Sequence, residues 1–455
     1  MGGGRIGARD SVILNEAKND RKSLVRTFPW GGPGRLGPRG VLGKLGPGIV
    51  TGASDDDPSG IATYSQVGAQ FGFAMLWTML FSYPLMAGIQ EISAWIGRVT
   101  GMGIAGNIRR HYSVWILYPI VVLILIANII NLGADIGAMG SALKILVGGP
   151  AHLYAVGFGV VSVIAIVFMR YRLYARILKW SALALLVYIA TAFSVHVPWT
   201  RAAIATLIPH ITFSSDYLTA LTAVFGTTIS PYLFFWQASQ EVEEQEAAPD
   251  EKPLKVAPEQ EAWQLEPMRA DTYIGMAISN VIAFFIILDT AASLHLHGVT
   301  EIATATQAAE ALRPLAGELT FLLFSLGIIG TGLLAVPILA GSAAYALAEA
   351  LKWPTGIDRP FGKAAGFYGT LGVATALGVG LNFTAIDPIK ALFWSAVING
   401  VAAVPIMVVM MLMTANPKVT GTLRLSIRQK ILGWTATAVM LIVAVGMIAT
   451  WHHQA

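Results

Sequence analysis

Long apolar stretches alternate with short polar ones along most of the chain, and each is long enough to cross the roughly 30 Å of hydrocarbon in a bilayer as a helix. Eleven can be marked, at about 46–71, 73–97, 113–139, 153–170, 177–197, 217–240, 272–295, 318–341, 364–381, 389–413 and 431–451. The pattern predicts an all-α, polytopic membrane protein of about 11 transmembrane helices. The first and sixth stretches are the least apolar, and both are interrupted near the middle by a proline among polar residues: Asp57-Pro58-Ser59-Gly60 in one, Thr227-Thr228-Ile229-Ser230-Pro231-Tyr232 in the other. Proline removes a backbone donor and clashes with the preceding turn, and non-helical backbone at membrane depth is tolerated only where it lines a cavity or is buried in protein.

These two breaks lie five spans apart. An odd repeat inserts its second copy upside down, so the spacing predicts a 5+5 inverted repeat with broken helices 1 and 6 and a site between the breaks. The expected organisation is a tail at 1–45, a transporter core at 46–413 with repeats at 46–197 and 217–413, and an eleventh helix with the C-terminus at 414–455. No small-residue cleavage site follows an apolar segment near the start, so the Gly-rich, basic beginning is expected to be a tail and not a secretory signal.

Charge adds orientation. Of the 30 Lys and Arg residues, 26 fall in the N-terminal tail and in the loops after spans 2, 4, 6, 8 and 10; only Lys144, Arg201, Arg313 and Lys390 fall on the other side. Basic loops stay cytoplasmic, which predicts a cytoplasmic N-terminus and an external C-terminus in a bacterial inner membrane. The formal charge of +4 is therefore a topology signal and implies no nucleic-acid partner. With 55% hydrophobic and 12% charged residues and a mean hydropathy of +0.63, a soluble globular domain is excluded. The chain has no Cys, so any metal would meet oxygen, imidazole or thioether ligands. Trp77, Trp95, Trp115, Trp199 and Trp353 fall near predicted span ends and read as interfacial anchors.

Three adjacent carboxylates, Asp55, Asp56 and Asp57, carry the candidate chemistry. Each ionised side chain costs roughly 2.5–3.5 kcal/mol at the centre of a membrane helix, so three together call for a compensating partner, and a cation meets that need. Successive helical residues point about 100° apart, so at most one or two can face one ion unless the segment unwinds. Asp57 is the first candidate ligand and Asp56 the second; Asp55 is expected to line the approach. Backbone carbonyls near Ser54 and Thr227 are expected to add ligands.

The run Gly46-Pro47-Gly48 through Asp57-Pro58, with Ile61-Ala62-Thr63 and Gly68-Ala69-Gln70-Phe71-Gly72, resembles the first helix of the Nramp divalent-metal transporters. The resemblance implies a leucine-transporter-like fold and a divalent-cation substrate. It also exposes departures. The family's Asp-Pro-Gly-Asn becomes Asp57-Pro58-Ser59-Gly60, and its Met-Pro-His becomes Ser230-Pro231-Tyr232. Losing the thioether and gaining the Ser230 hydroxyl, Asp55 and Asp56 moves the candidate ligand set (Asp57, Asp56, Ser230, Thr227, Asp55) toward all-oxygen coordination, which suits Mg²⁺. In this the chain is similar to the Nramp-related magnesium transporters.

The family's proton relay, as the resemblance implies it, uses an acidic pair in helix 3, a helix-6 His and Arg residues in helix 9. Here Asn131 and Ala134 stand at the acidic positions, Tyr232 at the His, and span 9 has no Arg. Transport without proton coupling is expected, with Asp135 as a shifted carrier if coupling exists. Asn280, Asp289 and Asn399 are further polar residues within spans, for which interhelical hydrogen bonding is an equal reading. His295, His297, His452 and His453 read as solvated, and Glu241, Glu243, Glu244 and Glu246 as a solvated acidic loop that helix 6 could extend into.

The sequence thus predicts a secondary carrier for Mg²⁺ and Mn²⁺ working by alternating access, with no bound cofactor, the lipid bilayer as its surroundings and no obligate protein partner. A proton-coupled Mn²⁺/Fe²⁺ symporter of the ordinary Nramp type is one alternative. An organic-solute or amino-acid transporter on the same fold is another, and a cation channel a third. No P-loop and no nucleophile-base constellation points to an enzyme.

Overall fold

A computed structural model describes residues 47–168, 185–313 and 317–451. Span 1 is two helices, α1 (Pro47–Asp55) and α2 (Pro58–Phe71), and span 6 is likewise two, later in the chain. Pro58 occupies the first turn of α2, where its missing N–H is no loss, and Asp57 caps that helix in extended backbone (φ −69°, ψ 169°). Span 2 is α3 (Trp77–Thr100); a short α4 (Ile104–His111) leads to span 3, α5 (Val114–Val147), and to span 4, α6 (Ala151–Phe168).

Span 5 enters the described residues only as α7 (Leu186–Ser194), and its predicted first half, with Arg170, Arg172, Arg176 and Lys179, lies outside them, as do the tail, His452 and His453. After α8 (Trp199–Leu207) comes span 6, α9 (Ser215–Thr228) and α10 (Pro231–Ala247), with Ser230 and Pro231 at the break. Span 7 is α11 (Glu261–Ser293); a short α12 (Ala305–Glu310) precedes span 8, α13 (Thr320–Leu351). Spans 9, 10 and 11 are α14 (Ala365–Leu381), α15 (Pro388–Ala415) and α17 (Ile427–Trp451), with a short α16 (Pro417–Thr420) before the last.

By length and apolar character alone, seven described helices qualify as membrane-crossing, or eight if the pair Pro58–Met75 and Trp77–Thr100, bent by 109°, counts as one span. The shortfall from eleven has identifiable causes. Each half of span 1 is too short, α3 qualifies only jointly with the half before it, α14 has 17 residues, and span 5 is only partly described.

Close backbone approach fixes the broken helices against their neighbours. A Cβ on Gly52 would stand 2.3 Å from the Gly275 carbonyl, so α1 and α11 touch backbone to backbone; one on Gly226 would stand 2.0 Å from the Ala396 carbonyl, seating α9 on α15. Small residues are what allow such contacts in membranes, where apolar burial alone gives little driving force between helices.

The basic end of the bundle differs from expectation. Glu241 and Glu243 do not sit in a solvated loop: helix 6 runs on to Ala247, and Glu241 is 1% exposed. Its partner is Arg98 of α3, whose Nε lies 2.6 Å from Glu241 Oε2, while the two terminal nitrogens reach Glu244 at 2.9 Å and Glu251 at 2.5 Å. Glu243 is held by the Tyr345 hydroxyl and the Ile357 amide. Nearby, Glu91 accepts from Arg269 and Gln429, both at 2.7 Å, tying α3 to α11 and α17. Acidic residues called out by sequence as a loop are therefore counter-charges for arginines at helix ends. The tryptophans divide as well: Trp115, Trp199 and Trp353 are exposed as anchors should be, whereas Trp77 and Trp95 are packed inside.

Removing one member of a buried ion pair strands the other, at a cost of about 3–5 kcal/mol. Arg98→Met should therefore lower the melting temperature of the purified protein sharply. Arg98→Met with Glu241→Gln should recover part of the loss, and equal melting of the two variants would show that Glu241 does not depend on Arg98.

Candidate functional site

The break in span 1 places the backbone amides of α2 beside side chains from spans 3, 6 and 7. Asp57 Oδ1 accepts from the Gly60 amide at 2.7 Å and the Ser59 hydroxyl at 2.8 Å, an N-cap that satisfies an amide the missing turn leaves open. Its Oδ2 accepts from Asn131 Nδ2 of α5 at 3.2 Å, and the Tyr232 hydroxyl of α10 lies 3.4 Å away. That hydroxyl has one proton and also reaches the Ser54 carbonyl at 3.1 Å, which closes the last turn of α1. Asn131 in turn accepts from Ser395 Oγ of α15 at 2.7 Å. One carboxylate thus joins spans 1, 3, 6 and 10.

Asp55 and Asp56 face elsewhere, toward α11. Ser279 Oγ lies 2.8 Å from Asp55 Oδ2 and 3.1 Å from Asp56 Oδ1. A serine hydroxyl has a single proton to give, so it cannot satisfy both carboxylates at once. Asp55 Oδ1 has no hydrogen-bond partner among the described residues, and all three carboxylates are at most 2% exposed. Buried and short of donors, the Asp55–Asp56 pair calls for positive charge, as a proton or a metal ion.

The remaining expected ligands are less available. Ser230 Oγ turns back onto its own helix, donating to the carbonyls of Thr227 (2.7 Å) and Gly226 (3.1 Å), as hydroxyls at helix ends often do. Thr227 stands across the break from Gly60, where a Cβ would be 3.1 Å from Thr227 Oγ1 and 3.2 Å from the Asp55 carbonyl. The absence of a side chain at Gly60 is what lets spans 1 and 6 meet there. Among the described residues no three His, Asp or Glu side chains converge on one point. An ion here would complete its shell with hydroxyls, carbonyls and water.

Asp135, one turn beyond Asn131 on α5, is buried within electrostatic reach of Asp57 and of the Ser59 backbone amide, and neither of its oxygens has a hydrogen bond of ordinary geometry among the described residues. Asp289 on α11 is equally buried, lies within electrostatic reach of Tyr188 and has no hydrogen-bond partner among the described residues. Interhelical hydrogen bonding accounts for Asn280, through contacts to Ser82 and Met86. Asn399 is buried with its side-chain oxygen unpaired among the described residues. His295 is not freely solvated: its Nδ1 lies 2.7 Å from the Ala69 carbonyl, against the end of α2. Ser279 is the site residue that sequence reading missed. One serine in a long apolar helix carries no signal until the helix is seen to cross the break.

A family model described as natural resistance-associated macrophage protein-like, Nramp, matches residues 48–450. The divalent metal cation transporter MntH of Klebsiella pneumoniae is 25% identical over 412 residues, 88% of this chain and 92% of that protein. Its namesake in Yersinia enterocolitica is 27% identical over 312 residues, 66% of this chain and 71% of that protein. Among solved structures, a manganese transporter of Eremococcus coleocola, crystallised with an aromatic bis-isothiourea substituted compound, matches with a TM-score of 0.67 at 16% identity, covering 93% of this chain and 90% of that one. The nucleobase-cation-symport-1 family transporter Mhp1, in a closed conformation, matches with a TM-score of 0.54 at 14% identity, covering 90% of this chain and 93% of that one. At such identities the likeness speaks to the fold, a 5+5 inverted repeat with broken helices 1 and 6.

Asp57 plays two parts that substitution can separate. Asn caps a helix about as well as Asp, whereas Ala forfeits roughly 0.5–2 kcal/mol of capping. Asp57→Asn removes a charge from a crowded acidic cluster while keeping the cap. Its Nδ2 then meets the Asn131 and Tyr232 donors where Oδ2 accepted, so in metal-free buffer it should melt clearly above Asp57→Ala. Equal destabilisation by both would mean that the charge, and not the cap, holds the break.

Proposed function

The chain belongs to the Nramp family, and on that footing we propose that it is a secondary carrier of divalent metal cations, preferring Mg²⁺ and Mn²⁺, that works by alternating access without proton coupling. Its setting is a bacterial inner membrane, with the N-terminus cytoplasmic and the C-terminus external. The transported ion is substrate, and the fold needs no further cofactor.

The chief support is the cluster at the break: Asp57 held between Asn131 and Tyr232, beside an Asp55–Asp56 pair with one hydroxyl donor between them. Such a site is short of positive charge, and a divalent cation supplies it in one step. The ligand atoms the cluster offers are carboxylate, hydroxyl and carbonyl oxygens. That chemistry suits hard cations. Mg²⁺ dehydrates reluctantly and is usually bound through one or two carboxylates while keeping several waters, which fits a site where no three acidic side chains converge.

Asn131 and Tyr232 also favour the uncoupled reading, since both meet Asp57 as neutral groups where a relay would place titratable ones. One observation favours the alternative of a proton-coupled Mn²⁺/Fe²⁺ symporter: Asp135, buried without a hydrogen bond of ordinary geometry among the described residues, lies close enough to Asp57 to exchange influence with it. An organic substrate has no comparable support, because three carboxylates at the break repel the carboxylate of an amino acid.

Uptake into proteoliposomes with an internal pH indicator decides between these. Saturable entry of both Mg²⁺ and Mn²⁺, abolished by Asp57→Asn and without acidification, is the expected outcome. Entry of Mn²⁺ alone with acidification, uncoupled by Asp135→Asn, would replace the proposal with the proton-coupled carrier.

A further inference from the structure

Away from the break, at the basic end of the bundle, a cavity of about 640 Å³ opens between α4, the first turns of α5 and the last turn of α13. Arg109, Arg110 and Lys352 line it together with the apolar side chains of Val114, Leu117 and Leu351. Among the described residues none of the three cations has an ion-pair partner: Arg110 reaches only the Met102 sulfur, at 3.9 Å, and Arg109 Nη1 is shut off from solvent with no hydrogen-bond partner. Glu349 is within electrostatic reach of Arg109 without pairing with it, its oxygens accepting from the Gly106 amide at 2.8 Å and the Ser239 hydroxyl at 3.1 Å. On the same short helix, His111 is held below the usual histidine range, first by burial and then by Lys255, Arg110 and Lys418. The local potential is positive and unspent.

The cavity also has an apolar continuation. Val114, Tyr118, Val122 and Ile126 recur every four residues on α5, about half exposed each, and so form one stripe running from the cavity mouth along a helix of membrane-spanning length. Trp115, 85% exposed, stands beside the first of them, where an aromatic residue marks the membrane–water boundary. The N-terminus of α5, capped by Ser113, brings its positive dipole end to the same place.

We propose that this cavity is a binding site for an anionic phospholipid, its headgroup phosphate on Arg109, Arg110 and Lys352 and an acyl chain along the α5 stripe. Basic pockets between helices at a membrane surface take lipids of this class, and each nearby cation adds to the attraction. A free phosphate would use the cations and leave the stripe uncovered; the lipid uses both.

The test is native mass spectrometry of the full chain, released from detergent micelles doped with phosphatidylglycerol or phosphatidylcholine. Wild-type protein should retain phosphatidylglycerol at least about tenfold better than phosphatidylcholine, and Arg110→Gln with Lys352→Gln should lose that preference. Lys363→Gln with Lys430→Gln, an equal change of charge on exposed side chains elsewhere at the same end, should keep it. Arg110→Gln alone should show an intermediate loss, and millimolar inorganic phosphate should not displace the lipid. Persistence of the preference in the double variant, its loss in the Lys363/Lys430 control, its absence from the wild type, or displacement by phosphate would each overturn the proposal.

Discussion

A helix cannot pass through Asp57-Pro58 in hydrocarbon without leaving backbone groups unpaired, and the rest of the core is arranged around that single fact. The Asp57 carboxylate fills one of the vacancies by capping the Gly60 amide of α2, with the Ser59 hydroxyl on the same oxygen, and the Tyr232 hydroxyl covers the Ser54 carbonyl at the end of α1. Both solutions require other helices to come close. That proximity is supplied by glycines at the α1–α11 and α9–α15 contacts, where any side chain would collide with backbone. The break, the backbone-to-backbone packing and the convergence of spans 1, 3, 6, 7 and 10 are therefore one constraint seen from different helices.

Buried charge is treated oppositely at the centre and at the basic end. At the end, Arg98 is surrounded by Glu241, Glu244 and Glu251, so that each charge has its opposite in contact. Burial pushes the Glu251 carboxyl up, and Arg98 pulls it back. There the guanidinium touches all three carboxylates and holds them in place. At the centre, Asp55 and Asp56 share one serine hydroxyl and Asp135 has no hydrogen bond of ordinary geometry among the described residues. Fully paired charges hold helices together, and unpaired ones hold a place for something that arrives and leaves.

Much of this was legible before any coordinates. Period and length of the apolar stretches located the helices, and the two prolines located the breaks, because each signal is local. The family motif around Asp57 singled that residue out as a candidate ligand, and its part as the cap of α2 is seen only in the structure. What sequence did not reveal is pairing across distance. Ser279 lies more than 220 positions from Asp55 and enters the site only because α11 crosses α1. The glutamates after the sixth span looked solvated because an acidic run after a helix usually is; that they neutralise Arg98, some 143 positions earlier, follows from packing alone. Trp77 and Trp95 failed as anchors for a related reason: closeness to a span end does not say whether lipid or protein lies beside it. Ser230 was placed by type, and its hydroxyl prefers the carbonyls of its own last turn.

The two neutral donors on Asp57 bear on how an ion is admitted. In this conformation its four hydrogen bonds come from Ser59, Gly60, Asn131 and Tyr232, so a cation approaching Asp57 competes with groups on three different spans. The two cap bonds belong to α2 itself and are costly to break, whereas the longer contacts from Asn131 and Tyr232 cross between helices. Those are the ones an ion would displace first, because an inner-sphere cation and an N–H or O–H donor cannot occupy the same lone pair. Displacing them leaves the Tyr232 hydroxyl its bond to the Ser54 carbonyl, while Asn131 keeps through Oδ1 the bond it accepts from Ser395 of α15 and gives up the one its Nδ2 makes. Tyr232 thus has somewhere to go, and the cost of admitting an ion is spread over helices that belong to both repeats. For the carrier proposed above, that exchange would link ion binding at Asp57 to the spacing between the repeats, the connection that repeats moving against one another require.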